Sequence, residues 1–307
     1  MKKIRIGTRG SDLALWQANT VSNKLSEAGF PSEIRIIKTT GDRRQDVPLA
    51  SIGGKGLFIK EIEEALDSGS IDIAVHSLKD VPSIVPPRFR LGAFLERADP
   101  RDAWLQPDFR AIETLSKGAK VATSSPRRRA QVKRLHPQVE LDEIRGNVDT
   151  RIRKMHSGLC DGMILAAAGL TRLGRDSEIV SFFPVDQMVP AAGQGIVAIE
   201  TCAGRDDLLP ALEAIDHADS HLAAESERGV LQRFGTLLDC YSCIAVHART
   251  EDGTLQIDAF LSDPSGEQAL RLKRFGARDD ASAIVNAVAD ELIAQGAYEL
   301  LGIEPAP

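Results

Sequence analysis

The 307-residue sequence predicts an α/β protein of two or three domains, each long enough to bury its own core. Three observations carry that prediction. Short apolar runs alternate with helix-like segments in the first half of the chain. The same rhythm resumes after a charged break at Glu96–Pro100. From about His217 the texture changes to an alternating strand followed by an amphipathic helix, which reads as a smaller α+β domain.

Taken in order, Ile4-Arg5-Ile6 reads as a strand. Ala14, Ala18, Val21 and Leu25 then recur at helical spacing, with Ser11 as the N-cap. Ile34–Ile37 reads as a second strand. Gly53-Gly54-Lys55-Gly56 forms a glycine-rich loop, Phe58–Leu66 a helix and Ile71–Val75 a third strand. In the second unit, Val121-Ala122-Thr123 runs into Ser124-Ser125-Pro126, with the proline at a first helical position. Met163–Ala166 is a buried strand leading to a helix around Leu170. Pro190–Glu200, with Gly193 and Gly195, is expected to cross back to the first unit. Leu255–Phe260 alternates like an antiparallel strand, and Ile284, Val288 and Leu292 share one helix face. No repeat or low-complexity tract is visible.

Composition narrows the function. Aromatics are 5% and the net charge is −6, which argues against stacking platforms and against a general nucleic-acid binder. No apolar run is long enough to span a bilayer. Met1–Gly10 has two lysines but no apolar stretch, so it does not read as a signal peptide. Four cysteines in a chain of this length do not make a disulfide framework. The expectation is a reduced, cytoplasmic protein.

The densest basic region runs from Arg127 to Lys154, where nine Lys and Arg face four acids. A solvated helix face accounts for such a run. Two details favour function. Ser125 and Arg127 follow a strand end, where open α/β sheets bind ligands. Arg145-Gly146-Asn147 and Arg172 follow the next turns. Arginines converging from several strand ends suit a ligand with several carboxylates, because guanidinium pairs bidentately with carboxylate. Lys55 lies in no GxxxxGK[ST] match, so its loop is either a mobile flap with a cationic tip or an ordinary helix entry. The Lys79–Asp80 pair closes the third strand. It is either surface charge or a carboxylate set beside positive charge that develops in a reaction. Cys240 and Cys243 form a CxxC without the context of a redox pair. His247 alone leaves a zinc tetrahedron incomplete, and a single nucleophilic cysteine is the remaining option. Cys160 and Cys202 read as small buried hydrophobes.

Seven stretches together resemble the hydroxymethylbilane synthase (porphobilinogen deaminase) family over nearly the whole chain. They begin with Ile6-Gly7-Thr8-Arg9-Gly10-Ser11, followed by Leu13–Ala18, and continue with Gly53–Phe58 and His76–Pro82. Thr123–Arg128 comes next, then Arg145–Val148 with Thr150-Arg151. Leu165–Gly174 and Pro190–Gly195 complete the series. Each is weak alone; their order and spacing are specific. The resemblance implies two lobes like those of type 2 periplasmic binding proteins, at residues 1–95 with 196–214 and at 101–189. It implies a third, smaller α+β domain at 218–307. It also implies one dipyrromethane per chain, held through a thioether by a cysteine in the Cys240 slot. Four porphobilinogens are then added, each losing ammonia.

Carried over by position, Asp80 matches the family's catalytic aspartate. Lys79, Ser125, Arg127, Arg128, Arg145 and Gly146 match positions around the cofactor. Arg9, Ser11, Lys55, Phe58, Arg151, Arg172 and Gln194 match positions that meet substrate. Each pyrrole brings an acetate and a propionate, which suits these cations. The resemblance further implies a monomer acting on a small molecule, with no metal, nucleic-acid or membrane partner.

One region departs from the family. Leu238-Asp239 stand where two glycines usually precede the attachment cysteine, and Cys243 replaces a proline. Ile244–His247 still fixes the register on Cys240, although the adjacent Asp239 disfavours its thiolate. The rival reading is a non-enzymatic two-lobed binder of a small carboxylate. It accounts for the arginines but not for Asp80 together with a third-domain cysteine. A nucleic-acid-binding regulator is a more distant alternative.

Overall fold

The computed structural model describes residues 3–39, 59–235, 238 and 242–304. Lys55, Phe58 and Cys240 therefore lie outside the described residues, as does the glycine-rich loop. The chain divides into two compact units, Met1–Ala98 with Gly195–Ala224, and Asp99–Gln194 with Glu225–Pro307.

In the first unit, β1 (Ile4–Thr8) leads into α1 (Asp12–Glu27). Ser11 caps α1 as expected, its hydroxyl accepting from the Ala14 amide at 3.4 Å. Then follow β2 (Ser32–Ile36), α2 (Lys60–Asp67), β3 (Ile73–Ser77) and β4 (Phe89–Phe94). Two strands are displaced from their expected positions. The second covers Ser32–Ile36 rather than Ile34–Ile37. The third begins at Ile73 because Ile71, though buried, packs from the approach loop beneath α2.

The second unit opens with β5 (Asp102–Leu105), β6 (Lys120–Ala122) and α3 (Pro126–Leu135), which has Pro126 in its first turn. Next come β7 (Glu140–Asp142), α4 (Val148–His156), β8 (Gly162–Ala166), α5 (Ala167–Arg172) and β9 (Ile179–Phe183). The chain then returns to the first unit as β10 (Val197–Cys202), as the Pro190–Glu200 segment leads one to expect. Gly195 marks this return. At φ +90° a Cβ would meet the Ala98 carbonyl oxygen at 2.5 Å, so only glycine fits. Helices α6 (Leu209–Glu213) and α7 (Ala218–Gln232) follow.

The two large sheets share one plan. The first runs β2-β1-β3-β10-β4 and the second β7-β6-β8-β5-β9. In each, three parallel strands meet an antiparallel fourth, β10 or β5, before the edge strand. This is the paired α/β lobe architecture of the type 2 periplasmic-binding-protein fold. The repeat lies in the topology, since the sequences of the two halves share no visible period. Ile4, Ile6, Ile73, Val75, Val197 and Ile199 pack under Ala18, Val21 and Leu25 of α1 in the first core. Burying side chains of this size contributes about 1.5–3 kcal/mol each.

A small C-terminal sheet completes the second unit: β11 (Ile244–Glu251), β12 (Thr254–Ser262) and β13 (Ala269–Ala277), with α8 (Ala281–Ala294) and α9 (Ala297–Leu301). Ile284, Val288 and Leu292 are buried on α8 as their spacing predicts. Strand β12 does not alternate: it is buried from Leu255 to Ser262. It is the central strand, and Phe260 packs against Ala130 and Val189 of the same unit, so neither face is solvated. Cys160 is buried, whereas Cys202, expected inside, is half-buried at the end of β10.

Candidate functional site

Strands β6, β7 and β8 are parallel, so their carboxyl ends share one edge of the second sheet. The segments leaving that edge carry most of the candidate residues. After β6, the Ser125 hydroxyl accepts from the Arg128 amide at 3.4 Å and caps α3. The dipole of this helix end favours an anion. After β7, the Arg145-Gly146-Asn147 turn leads into α4, with the Asn147 side chain accepting from the Thr150 amide at 2.9 Å. Gly146 has φ +117°, and a Cβ there would meet Thr150 Cγ2 at 2.7 Å. Arg151 Nε donates to the Gly146 carbonyl at 2.7 Å, and Lys154 Nζ to the Arg145 carbonyl at 3.0 Å. The turn is thus held from behind by two cations. After β8, Arg172 ends α5, and burial pushes its pKa down to about 10.

Arg127 and Arg128 are buried in the first turn of α3 and converge on one carboxylate, Asp102. Arg127 Nη1 donates to Asp102 Oδ2 at 2.7 Å and to the Val189 carbonyl at 2.8 Å. Arg128 Nε donates to Asp102 Oδ1 at 2.8 Å. Gln194 joins the cluster, its Nε2 donating to the Pro100 carbonyl at 2.6 Å and to Asp102 Oδ1 at 3.0 Å. Burial alone raises the pKa of Asp102. The charges of Arg127 and Arg128 outweigh it and hold the carboxyl well below the usual range.

In the first unit, β1 and β3 are parallel, so the residues following them also share an edge. Arg9 and Ser11 follow β1. Lys79 and Asp80 sit exposed in a single helical turn, Leu78–Asp80, after β3. Gln17 Nε2 on α1 donates to Ser77 Oγ at 2.7 Å, tying the helix to the strand end just before that turn. One residue further back, His76 pairs with Glu200 of β10.

Sequence reasoning passed over five buried carboxylates: Asp72, Asp102, Glu200, Glu227 and Asp258. Glu227 on α7 accepts from the Gly193 amide at 2.6 Å and from the Ala248 amide at 2.7 Å. It therefore joins the segment carrying Gln194 to β11, and His247 lies 3.4 Å from it. Cys243 is 3% exposed and packs with Ala130, Val189, Ala245 and Phe260. Among the described residues no cluster of His, Cys, Asp and Glu is arranged to hold a metal ion.

Each α/β unit by itself carries cationic and hydroxyl side chains at the carboxyl edge of its parallel strands, chemistry that suits an anion. The comparisons with known proteins give the family. A family model described as "Porphobilinogen deaminase, dipyromethane cofactor binding domain" matches residues 4–209. A porphobilinogen deaminase of Syntrophobacter fumaroxidans is 41% identical over 97% of this chain and 96% of its own. One of Syntrophomonas wolfei is 43% identical over 98% of each chain. Among solved structures, protein PG110 from Staphylococcus aureus aligns with 94% of this chain and all of its own, at 12% identity and a TM-score of 0.44. The chain belongs to the porphobilinogen deaminase family.

The family's cofactor, dipyrromethane, carries acetate and propionate groups. The residues of the second unit fit it. A guanidinium such as Arg172, whose burial disfavours its charged form, is stabilised by a carboxylate brought to it. Ser125 and the start of α3 offer further donors at the same edge.

Proposed function

We propose that this chain adds four porphobilinogens, with loss of ammonia at each step, to a covalently held dipyrromethane, and that water then cleaves the four added units off as hydroxymethylbilane. The observation that carries this reading is the row of cations at the carboxyl edge of the second sheet, at Arg145, Arg151 and Arg172, in a chain whose family model matches residues 4–209 and whose relatives match 97–98% of it. Bound dipyrromethane supplies the free pyrrole carbon on which the product grows. Ser125, Arg128 and Arg145 hold its carboxylates, with Gly146 allowing close approach of the turn. Lys79 neutralises further negative charge. Arg9, Ser11, Arg151, Arg172 and Gln194 receive the carboxylates of incoming porphobilinogen and of the lengthening chain; Lys55 does the same, and Phe58 meets substrate.

In each addition the bond from the aminomethyl carbon to nitrogen breaks, and ammonia leaves. A carbon–carbon bond forms to the terminal pyrrole, which then loses a proton. Asp80, exposed on the single helical turn after β3, stabilises the developing cation at the pyrrole N–H groups with its carboxylate and moves the proton. Cys240 forms the thioether. Its rival, Cys243, is packed in the core, which favours Cys240. The reading extends to three domains with the boundaries expected from the sequence, and to a monomeric, cytoplasmic enzyme. No helix among the described residues is long and apolar enough to cross a membrane.

Intact-protein mass spectrometry tests the proposal. Protein incubated with porphobilinogen is expected to carry a covalent adduct equal to two porphobilinogens less two ammonias. An unmodified mass, with no pyrrole pigment on Ehrlich staining of the denatured protein, would return the chain to the binding-protein reading.

A further inference from the structure

Asp102, the first residue of β5, belongs to none of the motifs that mark the family, yet it is fully buried at the centre of the candidate site. Its two oxygens receive four hydrogen bonds from three side chains. Oδ1 accepts from Arg128 Nε at 2.8 Å, from Gln194 Nε2 at 3.0 Å and from Arg127 Nη2 at 3.2 Å. Oδ2 accepts from Arg127 Nη1 at 2.7 Å. The donors come from α3 and from the last residue before the chain returns to the first unit, so one carboxylate joins two segments distant in sequence.

We infer that Asp102 is a positioning residue for the reaction, its carboxylate setting the side-chain geometry of Arg127, Arg128 and Gln194 before any ligand arrives. The inference rests on the proposed ligand-facing roles of Arg128 and Gln194. Arginine loses much rotamer freedom when it grips a ligand. A guanidinium already fixed by an internal acceptor has lost that freedom on folding, so binding does not incur it again. The geometry goes beyond simple charge neutralisation. Arg128 is held along its Nε edge, with Nη2 also 2.8 Å from Oδ1, and its Nη1 turns toward the Ile164 carbonyl at 3.3 Å. Arg127 is turned the other way, spanning Asp102 and the Val189 carbonyl. Neighbouring arginines are thereby sent in different directions by a shared acceptor. The depressed pKa of Asp102 keeps that acceptor ionised wherever the protein is folded at ordinary pH.

Asp102→Asn tests the idea, because it keeps the size of the side chain and removes half of its acceptor capacity. The substrate-free protein, made in cells that do not synthesise porphobilinogen, is mixed with porphobilinogen and adduct formation is followed by intact mass. The expected result is native circular dichroism, adduct formation slowed roughly tenfold or more, and KM for porphobilinogen raised more than kcat is lowered. Misplacement of a ligand group by about 1 Å can cost 10²-fold. Adding Arg128→Lys to Asp102→Asn should cost less than the product of the two separate effects. A lowered melting midpoint with unchanged adduct rate and KM would overturn the inference and leave Asp102 a purely structural residue. Should Asp102→Asn not fold, the wild-type protein still decides. The Arg128 Nε–H resonance, assigned by its loss in Arg128→Lys, should exchange slowly without substrate, and rapid exchange overturns the proposal. Failure of wild-type protein to form any adduct would instead overturn the functional reading, while the exchange measurement still reports on Asp102.

Discussion

His76 Nε2 on β3 lies 3.0 Å from Glu200 Oε2 on β10, and both side chains are almost wholly removed from solvent. These strands are neighbours and antiparallel, with Ala198 opposite His76. The pair crosses the sheet just before the turn that carries Lys79 and Asp80. Removing one member of a buried pair costs more than replacing both, because the survivor loses its compensation.

Glu200→Ala should therefore destabilise the protein by about 3–5 kcal/mol. Glu200→Gln, which still offers His76 an acceptor, should cost clearly less. Urea unfolding midpoints decide it, and equal losses in the two variants would mean that packing, not the pair, is what Glu200 contributes.

Asp80 is exposed, so its removal should leave stability within about 0.5 kcal/mol of wild type. Turnover of Asp80→Ala should fall by about 10²–10⁴-fold. Near-normal turnover in a folded Asp80→Ala protein would make this strand-end carboxylate a surface charge.

Acid should weaken both units. Burial raises the pKa of Asp102, but Arg127 and Arg128 more than reverse it. Asp72 in the first unit behaves alike: burial raises it, and hydrogen bonds from Arg5 and Arg205 carry it well below the usual range. A carboxyl depressed in the folded state contributes fully above its unfolded pKa, about 3.9. That contribution is lost as pH falls toward the folded value. Stability of wild-type protein should thus drop steadily below about pH 4. Asp102→Asn and Asp72→Asn should each flatten part of that slope, as read from melting midpoints against pH.

Cys243→Ser should keep both adduct and activity, since the residue is packed among Ala130, Val189, Ala245 and Phe260. Cys240→Ser should lose both. Peptide mapping that found the adduct on Cys243 would reverse the assignment and require that core to open.

Much of this was legible in the residues. The cap at Ser11, the helix start at Pro126 and the buried face of α8 each follow from one local rule, and each is present. The chain's return near Pro190 was readable from its glycines. Strands β4, β5, β7, β9 and β13 were not read; in β5 and β7 three or four residues carry too little periodicity. Strand β12 misled for another reason: alternation in sequence signals one wet face, and tertiary packing covered both. The buried acids Asp102, Glu200 and Glu227 escaped notice because an isolated carboxylate in a sequence resembles surface charge. Only the partners that folding brings from 21 to 124 residues away give it another meaning.

The placement of β10 has a further consequence, for the order of events during synthesis. It lies between β3 and β4, yet it leaves the ribosome only after all of β5 to β9. The first sheet therefore cannot close around its own N-terminal strands while they wait. The second sheet, whose strands are contiguous in sequence, is complete before β10 emerges. Translation proceeds at about 5–20 residues per second, so β3 and β4 spend several seconds with facing edges unpaired. The large sheet begun first is the one closed later, and a nascent chain stalled near Gln194 would expose those edges to chaperones.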